Sequence, residues 1–199
     1  MSESAYRAKL ELSPRDSGYL DRAKRAYLDD RYSEALNWLK KISCETLEVI
    51  ELKALTLYRM SRYKQALNVL VSLRESWNYF DQMPVEADCL RALGRLNEAI
   101  EIYKMLAKKG VSKEVLSEAR IVAAKALSEL GKLKEAIELM EPTKRYLTNP
   151  KYYHLRQWYV LADLYEQAGD FAQARALFKR VAEFDSTLAD AKYRARGLG

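Results

Sequence analysis

Proline and glycine are scarce in this chain, at 4 and 7 of 199 residues. β-Sandwiches and barrels use both residues freely in turns, and long flexible linkers are built from glycine, so neither architecture fits. Cysteine is nearly absent. Cys44 and Cys89 are too few for a disulfide framework, and both are expected to be reduced in a cytoplasmic protein. The one histidine, His154, excludes a two-histidine metal site within a chain. No run approaches the roughly 18 apolar residues of a membrane span. Met1 to Leu12 is polar and lacks the apolar stretch of a secretion signal. There is no glycine-rich phosphate loop. The expectation is therefore a cytoplasmic protein with no membrane segment, no cofactor and no metal.

Charge of one sign is also lacking. There are 34 Lys plus Arg against 28 Asp plus Glu, a net charge of +6, with both signs interspersed along the chain. The densest basic places are Arg22 with Lys24 and Arg25, Lys144 with Arg145, and Lys192 with Arg194 and Arg196. None has zinc-finger spacing or the paired aromatics of an RNA-recognition sheet, so a nucleic-acid partner is disfavoured. What the chain does have is apolar material, 49% of residues, enough for a continuous core.

That apolar material recurs with a period. A small residue is followed three positions on by an apolar or small residue, then a turn residue, an aromatic or leucine, and an alanine. The copies are Ala23, Ala26, Asp30, Tyr32, Ala35; then Ala54, Leu57, Ser61, Tyr63, Ala66; then Ala87, Leu90, Gly94, Leu96, Ala99. Two more follow: Ala124, Leu127, Gly131, Leu133, Ala136, and Ala162, Tyr165, Gly169, Phe171, Ala174. The final alanines lie 31, 33, 37 and 38 residues apart. Such a repeat specifies pairs of helices whose alanines allow close approach while larger neighbours fill the remaining space. The turn residue closes the first helix in a left-handed conformation, natural for glycine, tolerable for Asp30 and less so for Ser61.

First helices are expected near 17–29, 48–60, 82–93, 115–130 and 152–168, and second helices near 32–41, 63–74, 96–108, 133–146 and 171–184. A tail helix over about 188–196, capped by Ser186, would cover the last apolar edge. Pro84 fits a first turn, whereas Pro142 falls inside a predicted second helix and should kink it. Trp77, Tyr79 and Phe80 are expected to pack in a joint, and His154 to hydrogen-bond across one.

The period and the residues Trp158, Leu161, Ala162, Tyr165, Gly169, Phe171, Ala174 and Phe178 resemble the tetratricopeptide repeat family. The resemblance covers roughly residues 15–188. It implies an all-α, right-handed α-solenoid of five helix pairs plus a C-terminal capping helix. On that reading the chain is one domain, 1–199, with repeats at about 15–46, 47–79, 80–116, 117–154 and 155–188 and a cap at 188–196, and with 1–14 flexible or loosely packed. In overall wording, segments such as EADCLRALGRLNEAI and HLRQWYVLADLYEQAGDFAQARALFKRV are similar to a family of small uncharacterised actinobacterial tetratricopeptide proteins. That likeness implies a bacterial origin.

The family resemblance further implies a concave groove lined by first helices. Its positions fall here on Lys24 and Tyr27, on Glu51, Leu55, Tyr58 and Arg59, on Asp88 and Arg91, on Lys125, and on Arg156, Tyr159 and Asp163. Mixed charge with tyrosines suits an extended peptide or a partner domain. One subclass clamps a peptide carboxylate with Lys and Asn. The matching positions here are Leu20, Lys24, Leu52, Asp81 and Val85, so the clamp is not implied. The expected function is a non-catalytic interaction or scaffold module for an unidentified protein or peptide. The alternatives are a self-associating structural protein, such as a homodimer, and a nucleic-acid or ribonucleoprotein accessory.

Overall fold

A computed structural model describes residues 11–198. Among the described residues there are helices and turns but no strand. They form two compact units, one ending at Arg95 and one starting at Leu96.

The first unit holds α1 (Pro14–Leu28), α2 (Tyr32–Leu39), α3 (Leu47–Arg59), α4 (Tyr63–Trp77) and α5 (Met83–Ala92). Starts are marked by side chains that satisfy otherwise orphaned backbone donors. Ser13 Oγ accepts from the Asp16 amide at 3.1 Å, and Thr46 Oγ1 from that of Val49 at 3.4 Å. Pro84 lies in the first turn of α5, as expected. Each helix packs on its neighbours in sequence, and α1 also touches α3, as α3 does α5. That next-but-one contact is what a stack of helix hairpins produces. Of the segment 1–14 expected to be loose, residues 1–10 lie outside the described residues. Leu12 packs against the cluster of Leu20, Ala23, Leu39 and Val49.

The second unit holds α6 (Leu96–Lys109), α7 (Lys113–Glu129), α8 (Leu133–Met140), α9 (Tyr152–Gln167), α10 (Phe171–Phe184) and α11 (Ala191–Gly197). Ser112 caps α7 and Asp170 caps α10. Here α7 touches both its hairpin partner α8 and the next first helix, α9. The fold class is thus the all-α helical-repeat solenoid.

The alanine register explains the packing. Ala23, Ala26, Ala35, Ala54, Ala66, Ala87, Ala99, Ala124, Ala136, Ala162 and Ala174 all have 0% exposure. Full burial in a close-packed interior leaves little room for a larger group at these positions. Trp158 and Phe178, the largest side chains of the last pair, are also fully buried. Cys89 is buried beside Ala87, and both cysteines are free thiols.

Five turns that follow a first helix have the same backbone solution. Asp30, Ser61, Gly94, Gly131 and Gly169 take φ of 58°, 56°, 75°, 77° and 79°. The amide of the following residue bonds back to a carbonyl five positions earlier: Arg31 to Ala26, Arg62 to Leu57, Arg95 to Leu90, Lys132 to Leu127 and Asp170 to Tyr165. This closes each helix with a left-handed residue at its C-terminus. Asp30 and Ser61 adopt a conformation that costs an L-residue about 1–2 kcal/mol.

Three sequence expectations are corrected. Pro142 does not kink a helix running to 146. α8 stops at Met140, and Glu141–Lys144 form a 3-10 turn, because proline has no N–H to continue the α pattern. The freed carbonyl of Thr143 accepts the Trp158 indole N–H at 2.8 Å. The tail helix starts at Ala191, not near 188, and Ser186 does not cap it. Instead Asp185 accepts from the amide and hydroxyl of Thr187, making a local turn that competes with helix. His154 does not bond across a joint. Its Nδ1 accepts from the Lys151 amide at 2.9 Å, at the start of its own helix.

Candidate functional site

The expected groove residues lie on the first helices α1, α3, α5, α7 and α9. These side chains are tied together from repeat to repeat. In the first unit Lys24 pairs with Glu48, and Arg59 reaches Asp30 at 3.1 Å while its guanidinium lies 4.9 Å from the Tyr32 ring centroid. The Tyr58 hydroxyl donates to Asp88, whose other oxygen receives Arg91 Nε at 2.8 Å. Glu51 accepts from the Tyr79 hydroxyl at 2.9 Å and from Gln82 at 2.7 Å. That bond fixes the Trp77–Tyr79–Phe80 stretch as half-buried joint packing. Tyr27 meets Tyr32 edge-on, with centroids 5.6 Å apart, and Leu55 is half-buried.

In the second unit Arg156 makes two bonds to Glu118, at 2.7 and 2.8 Å. Parallel bonds of this kind fix both side chains. Tyr159 and Asp163 are engaged by the chain itself. Arg194, from α11, donates to Tyr159 at 3.2 Å, to Asp163 at 2.8 Å and to Glu166, and lies 4.3 Å from the Phe178 ring centroid. Tyr159 donates in turn to Asp190. Lys125 is exposed.

Electrostatics follow from this pairing. Burial first, then the bond to Asp88, pushes the Tyr58 hydroxyl well above the ordinary phenol value. Tyr79 is pushed up to about 12 by burial and its bond to Glu51. Burial lowers Arg194, but its bonds to Asp163, Tyr159 and Glu166 outweigh that and hold it above the usual guanidinium value. Burial raises the Cys89 thiol to about 12, so it stays protonated and unreactive at neutral pH. Among the described residues no group of three His, Cys, Asp or Glu could hold a metal, and no helix is long and apolar enough to cross a membrane.

Sequence reasoning missed a second feature. An open cleft of about 280 Å³ lies in the second unit, against the first turns of α7 and α9 and the segment after α8. Lys113, Ser117 and Arg120 line it from α7, at i, i+4 and i+7, one helix face. Arg145 lines it from the segment after α8, and His154 and Gln157 from α9. The i, i+4, i+7 spacing was a readable signal. The contribution of Arg145 depends on how 141–151 folds and was not.

The geometry agrees with the comparisons. Residues 155–187 match the family model described as tetratricopeptide repeat. A thermophilic tetratricopeptide protein of Thermus thermophilus, TTC0263, superposes with a TM-score of 0.70 at 16% identity, covering 92% of this chain and 98% of that one. MamA (residues 41 to the end) of Desulfovibrio magneticus RS-1 gives 0.62 at 16%, over 89% and 99%. A kinesin light chain with nearly identical repeats from Podosopora anserina gives 0.65 at 16%, over 85% and 96%. No curated protein sequence matches the chain. At these identities the solved structures share the fold. Residues 155–187 thus match a tetratricopeptide repeat, and the described chain has the fold of the solved tetratricopeptide-repeat structures. Proteins of this fold are in general protein-interaction scaffolds and typically non-catalytic.

Proposed function

We propose that this protein is a non-catalytic scaffold that binds an extended peptide or partner domain along its first-helix faces. One observation carries the reading: polar and tyrosine side chains on these faces are held in fixed rotamers by ties between successive repeats. Arg59 to Asp30, Tyr58 to Asp88 and Arg156 to Glu118 are examples. A surface whose side chains are already ordered loses less conformational entropy when a partner docks, so more of the contact energy appears as affinity. The site assigned to the partner is that of the sequence reading: Lys24, Tyr27, Glu51, Leu55, Tyr58, Arg59, Asp88, Arg91, Lys125, Arg156, Tyr159 and Asp163. Five repeats in one cytoplasmic domain are part of the same proposal.

The test is capture of partners from lysate by the full chain, read by quantitative mass spectrometry. Tyr27→Ala and Lys125→Glu should lose the partner, because both side chains are available for contact. Lys134→Glu is the control, since Lys134 has a side chain 91% exposed on a second helix. Equal loss with Lys134→Glu, or undiminished capture by the face variants, would defeat the reading.

A second reading, self-association, has one feature in its favour. Tyr193 on α11 is 79% exposed, a large ring left in solvent on a terminal helix. Light scattering on the Tyr193→Ser variant, compared with the parent, decides it.

A further inference from the structure

The cleft between α7, α9 and the segment after α8 is lined by cations and by no carboxylate. Lys113, Arg120 and Arg145 all line it. Neighbouring cations are paired: Lys144 with Glu141, Lys151 with Glu114, Arg156 with Glu118. Among the described residues the three lining cations make no ion pair. Arg120 meets Tyr103 instead, through a bond to its hydroxyl at 3.3 Å and a guanidinium 5.8 Å from its ring centroid.

The polar floor makes the same point independently. Gln157 and Ser117 are 5% and 6% exposed, and both line the cleft. Neither side chain has a hydrogen-bond partner among the described residues, yet no side-chain polar atom sealed from solvent lacks one. Their polar atoms therefore open into the cleft. A polar group that is nine-tenths buried yet points its free donor into a cleft is placed to bond whatever enters it. The first turns of two long helices also border the cavity, and helix N-termini favour negative charge.

We infer that this cleft is a binding site for a phosphomonoester carried on a side chain of a partner protein. Three uncompensated cations match a dianion better than a single carboxylate. Gln157 and Ser117 supply the neutral donors, and His154 leaves Nε2 without a partner beside them. The cleft is small and open, so it suits one pendant group and does not enclose a whole small molecule as a typical ligand pocket does. The inference rests on the protein-binding reading above only in making the carrier a protein, and it uses none of the first-helix face residues.

The test is fluorescence anisotropy of the full chain with a labelled short peptide carrying one phosphoserine between apolar residues. The unphosphorylated peptide is the comparison, and inorganic phosphate is the competitor. The phosphopeptide should bind at least tenfold tighter than its unphosphorylated form, and more weakly as salt rises. Arg145→Gln and Lys113→Gln should each weaken binding roughly three- to tenfold. Gln157→Leu should weaken binding while leaving the thermal midpoint unchanged or higher, which a merely structural glutamine would not do. Lys134→Glu, on the exposed face of α8 outside both sites, should leave phosphopeptide binding unchanged. Equal binding of the two peptides, or full affinity in Gln157→Leu, overturns the site. Inorganic phosphate competing as well as the phosphopeptide overturns the protein carrier. Those failures are distinguishable from failure of the scaffold reading, which is scored by partner capture with Tyr27→Ala.

Discussion

Trp158 Nε1 donates to the carbonyl of Thr143 at 2.8 Å, and Thr143 is free to accept because helix α8 has already ended at Met140, ahead of Pro142. A fully buried indole thus has its polar atom satisfied by a break in the helix before it. Trp158→Phe removes the donor, strands the carbonyl and leaves a void. The expected loss is about 2–4 kcal/mol in urea unfolding. A loss below about 1 kcal/mol would mean the tie is incidental.

The turn at Ser61 can be improved. Ser61→Gly relieves a left-handed serine at φ 56° and should raise stability by about 0.5–1 kcal/mol. Asp30→Gly should gain less, because the Asp30 carboxylate also accepts from Tyr32 and Arg59. Gly169→Ala, at φ 79°, should lose about 1–2 kcal/mol. Denaturant midpoints rank the three.

The alanine register predicts a sharp contrast within one helix. Ala174→Leu must force a side chain into a site with 0% exposure and should cost about 3 kcal/mol. Ala176, two residues on, is exposed, and Ala176→Leu should fall within about 0.5 kcal/mol of the parent. Melts followed by circular dichroism give the comparison.

His154 should couple stability to pH. Burial first, then Lys151 and Lys113, lower its pKa below the ordinary 6.5, with Glu114 opposing. A depressed folded pKa favours the neutral ring. Its contribution is therefore present above pH 6.5 and is lost as pH falls through the folded value. Protonation also removes the Nδ1 acceptor that takes the Lys151 amide. Imidazole signals titrating below pH 6.5 in the native state, with His154→Gln showing less loss of stability on acidification, are the expected results.

Arg194 pins the terminal helix. Arg194→Ala removes its bonds to Asp163, Tyr159 and Glu166, and amide exchange across α11 should accelerate while that of α10 is little changed. Unchanged exchange in α11 would show that Ala191, 1% exposed, holds the helix alone.

Helix α10 was fully legible in the sequence. Gly169 stops the helix before it, Asp170 caps it, and Ala174 and Phe178 set its buried stripe, so the expected 171–184 coincides with Phe171–Phe184. The segment 141–151 was not legible, because hairpin periodicity carries no information about where a proline-terminated chain goes next. First-helix positions could be read from the register. Their partners could not: whether Tyr58 finds Asp88 depends on the reach of side chains between helices 30 residues apart. The unpaired cations of the α7–α9 cleft were hidden for the same reason, since pairing is a property of space and not of spacing.

The ties between repeats also bear on how the chain assembles. Arg59 to Asp30 spans 29 residues, Arg156 to Glu118 spans 38, and Ser128 to Gln167 spans 39. Closing a loop of that size costs little more entropy than closing a single hairpin, because the cost grows only with the logarithm of length. Each repeat can thus be recruited by the one already formed beside it. Chain collapse needs no contact between distant parts of the sequence, and a nascent chain leaving the ribosome can begin to order its early helices before the later ones exist.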